Sequence, residues 1–189
     1  MKRTTALLLC FAVIFYSFIS LGASSGSKAD GDKPSVSALS AILYAPDSGT
    51  IIFEKDSHTR RPIASITKIM TALLAFEFAQ SQDIDIKFTA DMQAEGSSMY
   101  LKNGEIIKLS ELAKGMMVSG NDAANAIAIT LGKSTDGFAE MMNQKAASLN
   151  MKDTHFVTPS GLDDEEHYSS AYDMAMLTAY SMENEQFKE

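Results

Sequence analysis

One cysteine in the whole chain, no internal repeat and no histidines at metal-ligand spacing remove several chemistries at the outset. Cys10 sits in an apolar N-terminal run behind Leu7, Leu8 and Leu9, without the small residue that lipid attachment would want just before it. A domain released from that run has no thiol, so disulfides, thiolate ligands and cysteine redox chemistry drop out and its stability must come from a packed core. Basic charge is also scarce. The formal charge is −8, and it falls to −11 when residues 1–29 are removed with Lys2, Arg3 and Lys28. Such a surface repels nucleic acid and anionic headgroups, so no nucleic-acid partner is expected. His58, His155 and His167 do not share a helix face, and no EF-hand pattern frames Asp163-Asp164-Glu165-Glu166, which reads as a solvated loop. No metal and no cofactor are expected.

What is present begins with an export signal. Lys2 and Arg3 precede the uncharged stretch Ala6 to Leu21, and the small and polar run Gly22 to Asp30 follows. That order is the basic, apolar and small-residue sequence of a secretory signal. Cleavage after Ala29 gives residues 1–29 as signal peptide, 30–40 as linker and 41–189 as a single globular domain. The alternative is an uncleaved anchor, slightly short for a span of about 20 residues; membrane contact is expected only in that case.

Ser40–Tyr44 and Ile51–Glu54 flank Pro46 and Gly49 and predict an antiparallel hairpin. From Ala64 to Gln80, apolar residues recur at three and four nearly all round, which predicts a buried central helix. Further helices are predicted at Leu109–Met117, Asp122–Leu131 stopped by Gly132, Phe138–Asn150 capped by Asp136, and Ala171–Met182. The twelve methionines, scattered through these helices, read as core filler.

Two short motifs carry chemistry, Ser65-Ile66-Thr67-Lys68 and, 54 residues after Ser65, Ser119-Gly120-Asn121. A serine hydroxyl is a weak nucleophile until its proton is removed, and a lysine three residues on shares its helix face. The positive end of a helix beside it disfavours the charged lysine, leaving a neutral amine able to act as base. Spacing alone is weak evidence, since Ser25-Gly26-Ser27-Lys28 and Ser148-Leu149-Asn150 match the same patterns. Ser65 as a helix cap and Ser119-Gly120-Asn121 as an ordinary turn stay open on that ground. Ser97-Ser98-Met99-Tyr100 reads as a structural turn.

The wording of the segments goes further. Pro62 to Leu73, Ser119 to Ala124, Met142 to Ala146, Thr154-His155-Phe156, Ser160-Gly161-Leu162-Asp163 and His167 to Asp173 occur in one order along the chain. Together, from about Ala41 to the C-terminus, they closely resemble the low-molecular-mass penicillin-binding proteins of the D-alanyl-D-alanine carboxypeptidase family. The resemblance implies an α+β fold of the serine β-lactamase/transpeptidase type, with a helical lobe against an antiparallel sheet. It implies Ser65 as acylated nucleophile, Lys68 as proton acceptor, Ser119 as proton relay and Asn121 as a contact to the substrate amide. It implies action on peptidoglycan stem peptides ending in D-Ala-D-Ala, covalent inhibition by β-lactams, and a place in the periplasm or on the outer face of the cytoplasmic membrane.

The departure from the family is a missing Lys-Thr-Gly-like triad, absent between Tyr172 and Glu189. With it go a cation for the substrate carboxylate and one donor of the oxyanion hole, worth about 2.7–4 kcal/mol in a well-studied hydrolase. The chain therefore reads as the front portion of a longer protein, an incomplete fold with the N-terminal hairpin and helical lobe but without the later sheet strands. By itself it is expected to be marginally folded and silent on a D-Ala-D-Ala peptide. A serine β-lactamase and a non-catalytic truncated remnant are the alternatives; the glycine of Ser119-Gly120-Asn121 and the Ser160-Gly161-Leu162-Asp163 wording favour the carboxypeptidase.

Overall fold

Strands β1 (Ala41–Ala45) and β2 (Thr50–Lys55) pair antiparallel across a 3-10 turn at Pro46–Ser48, with a bulge between Leu43 and Tyr44. The computed structural model describes residues 34–118 and 120–189. The signal peptide expected at 1–29 and the serine at 119 therefore lie outside the described residues. Residues 36–40 are hydrogen-bonded to the hairpin: Lys55 Nζ donates to the carbonyls of Val36 and Ala38, and Ser40 Oγ to that of Asp56.

Among the described residues six helices follow: α1 (Lys68–Ser81), α2 (Leu109–Val118), α3 (Asn121–Gly132), α4 (Thr135–Ser148), α5 (Ala171–Ser181) and α6 (Glu185–Lys188). Helix α1 is the centre of the lobe, packed against α2, α3, α4 and α5. It buries Met70, Ala72, Leu73, Ala75 and Phe76, while Phe78 reaches solvent, so its apolar surface is broad without closing the full circle. Around it Leu109, Leu112, Met116, Ile127, Phe138, Met142, Phe156 and Leu177 are fully buried. Each such large apolar side chain contributes about 1.5–3 kcal/mol on burial. Met70, Met116 and Met142 fill the core, whereas Met117 and Met182 are exposed.

The central helix does not begin at Ala64. Residues Ala64–Thr67 form a 3-10 turn entered through Ala64 at φ +45°, and α1 starts only at Lys68. The cap of α4 is Ser134, whose Oγ accepts from Gly137 N–H at 2.9 Å, rather than Asp136. Nor does Gly132 turn the chain at the end of α3, since the left-handed residue there is Lys133 at φ +67°. Gly132 is required for space: a Cβ on it would overlap the backbone of Phe138 as α4 passes. A second antiparallel pair, β3 (Asp85–Lys87) with β4 (Ile106–Lys108), was not legible in the pattern of such short segments.

The hairpin rests its β1 strand on α5, and a groove of about 440 Å³ runs between them, lined by Ile42, Leu43, Tyr44, Ala171, Met174, Ala175 and Met182. Leu43, Ile51 and Ile52 remain exposed on the hairpin. Among the described residues no helix is long and apolar enough to cross a membrane.

Candidate active site

Ser65 and Lys68 are brought into direct contact. In a 3-10 turn, side chains three residues apart eclipse one another, so the turn at 64–67 stacks the two groups. Lys68 Nζ donates to Ser65 Oγ at 3.1 Å and to the carbonyl of Ser160 at 3.0 Å. Ser65 is exposed, and Lys68 is buried at the first turn of α1. Burial pushes the Lys68 ammonium below its ordinary pKa, because the low-dielectric surroundings disfavour its charge. An exposed hydroxyl thus stands on a buried amine whose charge is disfavoured by its surroundings.

The floor of this arrangement is the segment from Phe156 to His167. Thr71 Oγ1, one turn along α1 from Lys68, donates to the carbonyl of Pro159 at 2.6 Å. Gly161, at φ +83°, lies so close beneath the turn that a Cβ there would overlap the Ala64 carbonyl oxygen. Thr67 Oγ1 meets His167 Nε2 at 2.7 Å. Two isolated bridges, Arg61 with Ser169 and His155 with Tyr168, tie the ends of both segments together. Among the described residues the Ser160 hydroxyl, though buried, has no partner, so Ser160 contributes through its backbone.

Asn121 opens α3, which packs on α1. Its side-chain amide donates to the Glu95 carbonyl and its backbone N–H to that of Ser97, each at 2.7 Å. The next residue, Asp122, is fully buried and was not singled out by the sequence reading. Its carboxylate accepts from Ser98 Oγ at 2.7 Å and from the N–H groups of Met99 at 2.9 Å, Leu101 at 3.3 Å and Ala123 at 2.9 Å. Burial by itself raises a carboxyl pKa, yet these donors outweigh it and hold Asp122 below the ordinary carboxylate range. Asp122 fixes the Ser97–Leu101 loop to the start of α3, which gives that loop its structural role. Only an acidic residue in a first helical turn was visible in the sequence; three of its four partners lie more than twenty residues upstream.

The three histidines are dispersed. His58 stacks on Tyr172, His155 Nδ1 pairs with the Glu166 carbonyl, and His167 is buried under Thr67. Among the described residues no cluster of His, Cys, Asp or Glu has the form of a metal site. A cavity of about 400 Å³ opens beside Pro62, Ile63 and Ala64 and is rimmed by Asp163, Asp164 and Glu165; neither Ser65 nor Lys68 lines it.

Comparison with known proteins identifies the family. A family model described as D-alanyl-D-alanine carboxypeptidase matches residues 27–189. D-alanyl-D-alanine carboxypeptidase DacF of Bacillus subtilis is 38% identical over 186 residues, which cover 94% of this chain and 47% of that protein. DacA of Escherichia coli is 38% identical over 156 residues, covering 76% of this chain and 39% of that protein. Among solved structures, DacD from Francisella tularensis superposes with a TM-score of 0.78 at 35% identity, over 83% of this chain and 39% of that one. Penicillin binding protein 6B from Escherichia coli gives a TM-score of 0.79 at 33% identity, over 85% and 54%. The chain spans about half the length of the curated relatives it matches, so its α+β architecture is an incomplete version of their fold. By family match, sequence identity and superposition, this chain belongs to the D-alanyl-D-alanine carboxypeptidase family.

Proposed function

We propose that this chain carries the nucleophile and base of a serine-type D-Ala-D-Ala carboxypeptidase acting on peptidoglycan stem peptides. The observation that supports this most is the 3.1 Å contact between exposed Ser65 and buried Lys68 in a chain of that family. Ser65 Oγ attacks the carbonyl of the penultimate D-alanine while its proton passes to neutral Lys68 Nζ. Collapse of the tetrahedral species breaks the peptide bond, and terminal D-alanine leaves as the amine, taking a proton delivered through Lys68 and Ser119. Water then attacks the Ser65 ester, giving a proton to the same base, which passes it to Ser65 Oγ as the ester bond breaks and the shortened peptide departs. Asn121 is assigned to the substrate amide, from the start of α3. A β-lactam enters the same first step and stays as the Ser65 ester.

The substrate lies outside the cytoplasmic membrane, and the N-terminal 29 residues are assigned to export, with residues 30–40 leading into the domain. The test is release of D-alanine from a D-Ala-D-Ala peptide by the 189 residues joined to the C-terminal half of the Bacillus subtilis relative. Release abolished by Ser65→Ala supports the reading, and release untouched by it refutes the assignment.

A further inference from the structure

His167 has no part in the reaction as written above, yet it is the buried group through which the Ser65–Lys68 turn meets its floor. It is 4% exposed. One ring nitrogen, Nδ1, receives two backbone N–H groups, Val157 at 3.0 Å and Thr158 at 3.2 Å. An atom facing two donors must be an unprotonated acceptor, so the imidazole is neutral and its proton sits on Nε2. Nε2–H therefore donates to Thr67 Oγ1 at 2.7 Å, and Thr67 is the residue immediately before Lys68. Thr158, held by Nδ1, accepts from Gly161 N–H through its own Oγ1 at 3.1 Å, and the Ser160 carbonyl between them receives Lys68 Nζ. Ring, loop and lysine form one hydrogen-bonded circuit.

We propose that His167 is a positioning residue: in its neutral form it locks the turn bearing Ser65 and Lys68 to the 157–161 loop, and a proton on Nδ1 opens the lock. A proton there sets N–H against two N–H groups, so protonation requires the loop to leave the ring and take the Ser160 carbonyl off Lys68. The charged groups around the ring pull in opposite directions. Asp164 on its own loop raises its pKa, while burial, which is the larger effect, and His155 across the 155–168 bridge lower it. Asp163 and Glu165 face the same cavity as the ring, and the turn above offers the Lys68 amine. The net pKa lies below the ordinary imidazole value, so the lock is fully closed above about pH 6.5 and is lost as the pH falls through the lower folded value.

This inference rests on Ser65 and Lys68 being the acylation site. Two non-titrating variants divide the ring's functions: His167→Asn retains an acceptor near Nδ1, and His167→Gln retains a donor near Nε2. The rate of acylation by a fluorescent penicillin is measured from pH 4.5 to 8 for the 189 residues joined to the C-terminal half of the Bacillus subtilis relative and for both variants in the same joined protein, with a long-range proton–nitrogen NMR spectrum of the histidine rings. The wild-type rate is expected to fall with slope one while Lys68 gains its proton, then with slope two once His167 does. Both variants are expected to keep slope one throughout and to be about tenfold slower near neutrality, a loss equivalent to one poorly held contact. The NMR spectrum is expected to show Nδ1 unprotonated at pH 7, with Val157 and Thr158 amides shifting as it titrates. Identical profiles in all three proteins, or a protonated Nδ1 in the native spectrum, overturn the proposal. A joined wild-type protein that is never acylated, but whose Val157, Thr158 and Lys68 amides shift together with the ring, refutes the acylation site while supporting the lock.

Discussion

Gly161 and Ala64 are in contact without room for a methyl group between them. Gly161 holds φ +83°, and a Cβ built on it would overlap the Ala64 carbonyl oxygen and approach Thr67 Oγ1 to 2.8 Å. The turn that presents Ser65 therefore sits directly on the backbone of the 158–162 loop.

Gly161→Ala is expected to destabilise the fold by about 2 kcal/mol or more, since both the left-handed backbone and the overlap act against it. Thermal melting reads the loss. Ser160→Ala, one residue away, is expected to leave the melting temperature unchanged or higher, because it removes a buried hydroxyl that has no partner among the described residues and keeps the carbonyl that receives Lys68. Equal effects of the two substitutions would contradict the packing described.

Asp122→Asn is expected to cost about 2–3 kcal/mol at neutral pH, because the neutral amide cannot match a carboxylate that accepts from four donors. The folded pKa of Asp122 is depressed, so its stabilisation is present above about pH 3.9 and is lost as the pH falls through the lower folded value. Urea titrations of both proteins across that range check the sign: the gap between them narrows on acidification. A gap that widens in acid would show that the carboxylate is not the stabilising form.

Lys68→Arg keeps the charge but removes a proton acceptor that works near neutrality. Acylation by a penicillin is expected to slow by about 10²–10⁴-fold, the usual span of general-base assistance. In the wild type the rate rises with pH as Lys68 loses its proton, and burial brings that rise below the ordinary lysine range. Rapid-mixing measurement across pH reads both effects. Wild-type rates in the arginine variant would remove lysine from the chemistry.

The order of motifs made the family and the pairing of Ser65 with Lys68 legible, since both depend on residue types at short spacing. The hairpin and the longer helices were legible for the same reason, being written in local periodicity and turn residues. What escaped depends on partners distant in sequence. Asp122 looks like any acidic residue near a helix start until the Ser97–Leu101 loop folds over it. His167 reads as one histidine among three until Thr67, a hundred residues upstream, meets its ring. The 3-10 entry to α1 also escaped, because apolar spacing across Ile63, Ile66 and Ile69 fits both helix types, and the close approach of Gly161 decides between them.

The most direct measurement is the identity of the residue that a β-lactam acylates. The 189 residues, joined to the C-terminal half of the Bacillus subtilis relative, are incubated with a fluorescent penicillin, digested and mapped by mass spectrometry. The adduct is expected on the peptide containing Ser65, in an amount equal to one site per chain, and none is expected in Ser65→Ala. An adduct on Ser119 or elsewhere, or labelling that survives Ser65→Ala in a protein with an unchanged melting temperature, would contradict Ser65 as the nucleophile.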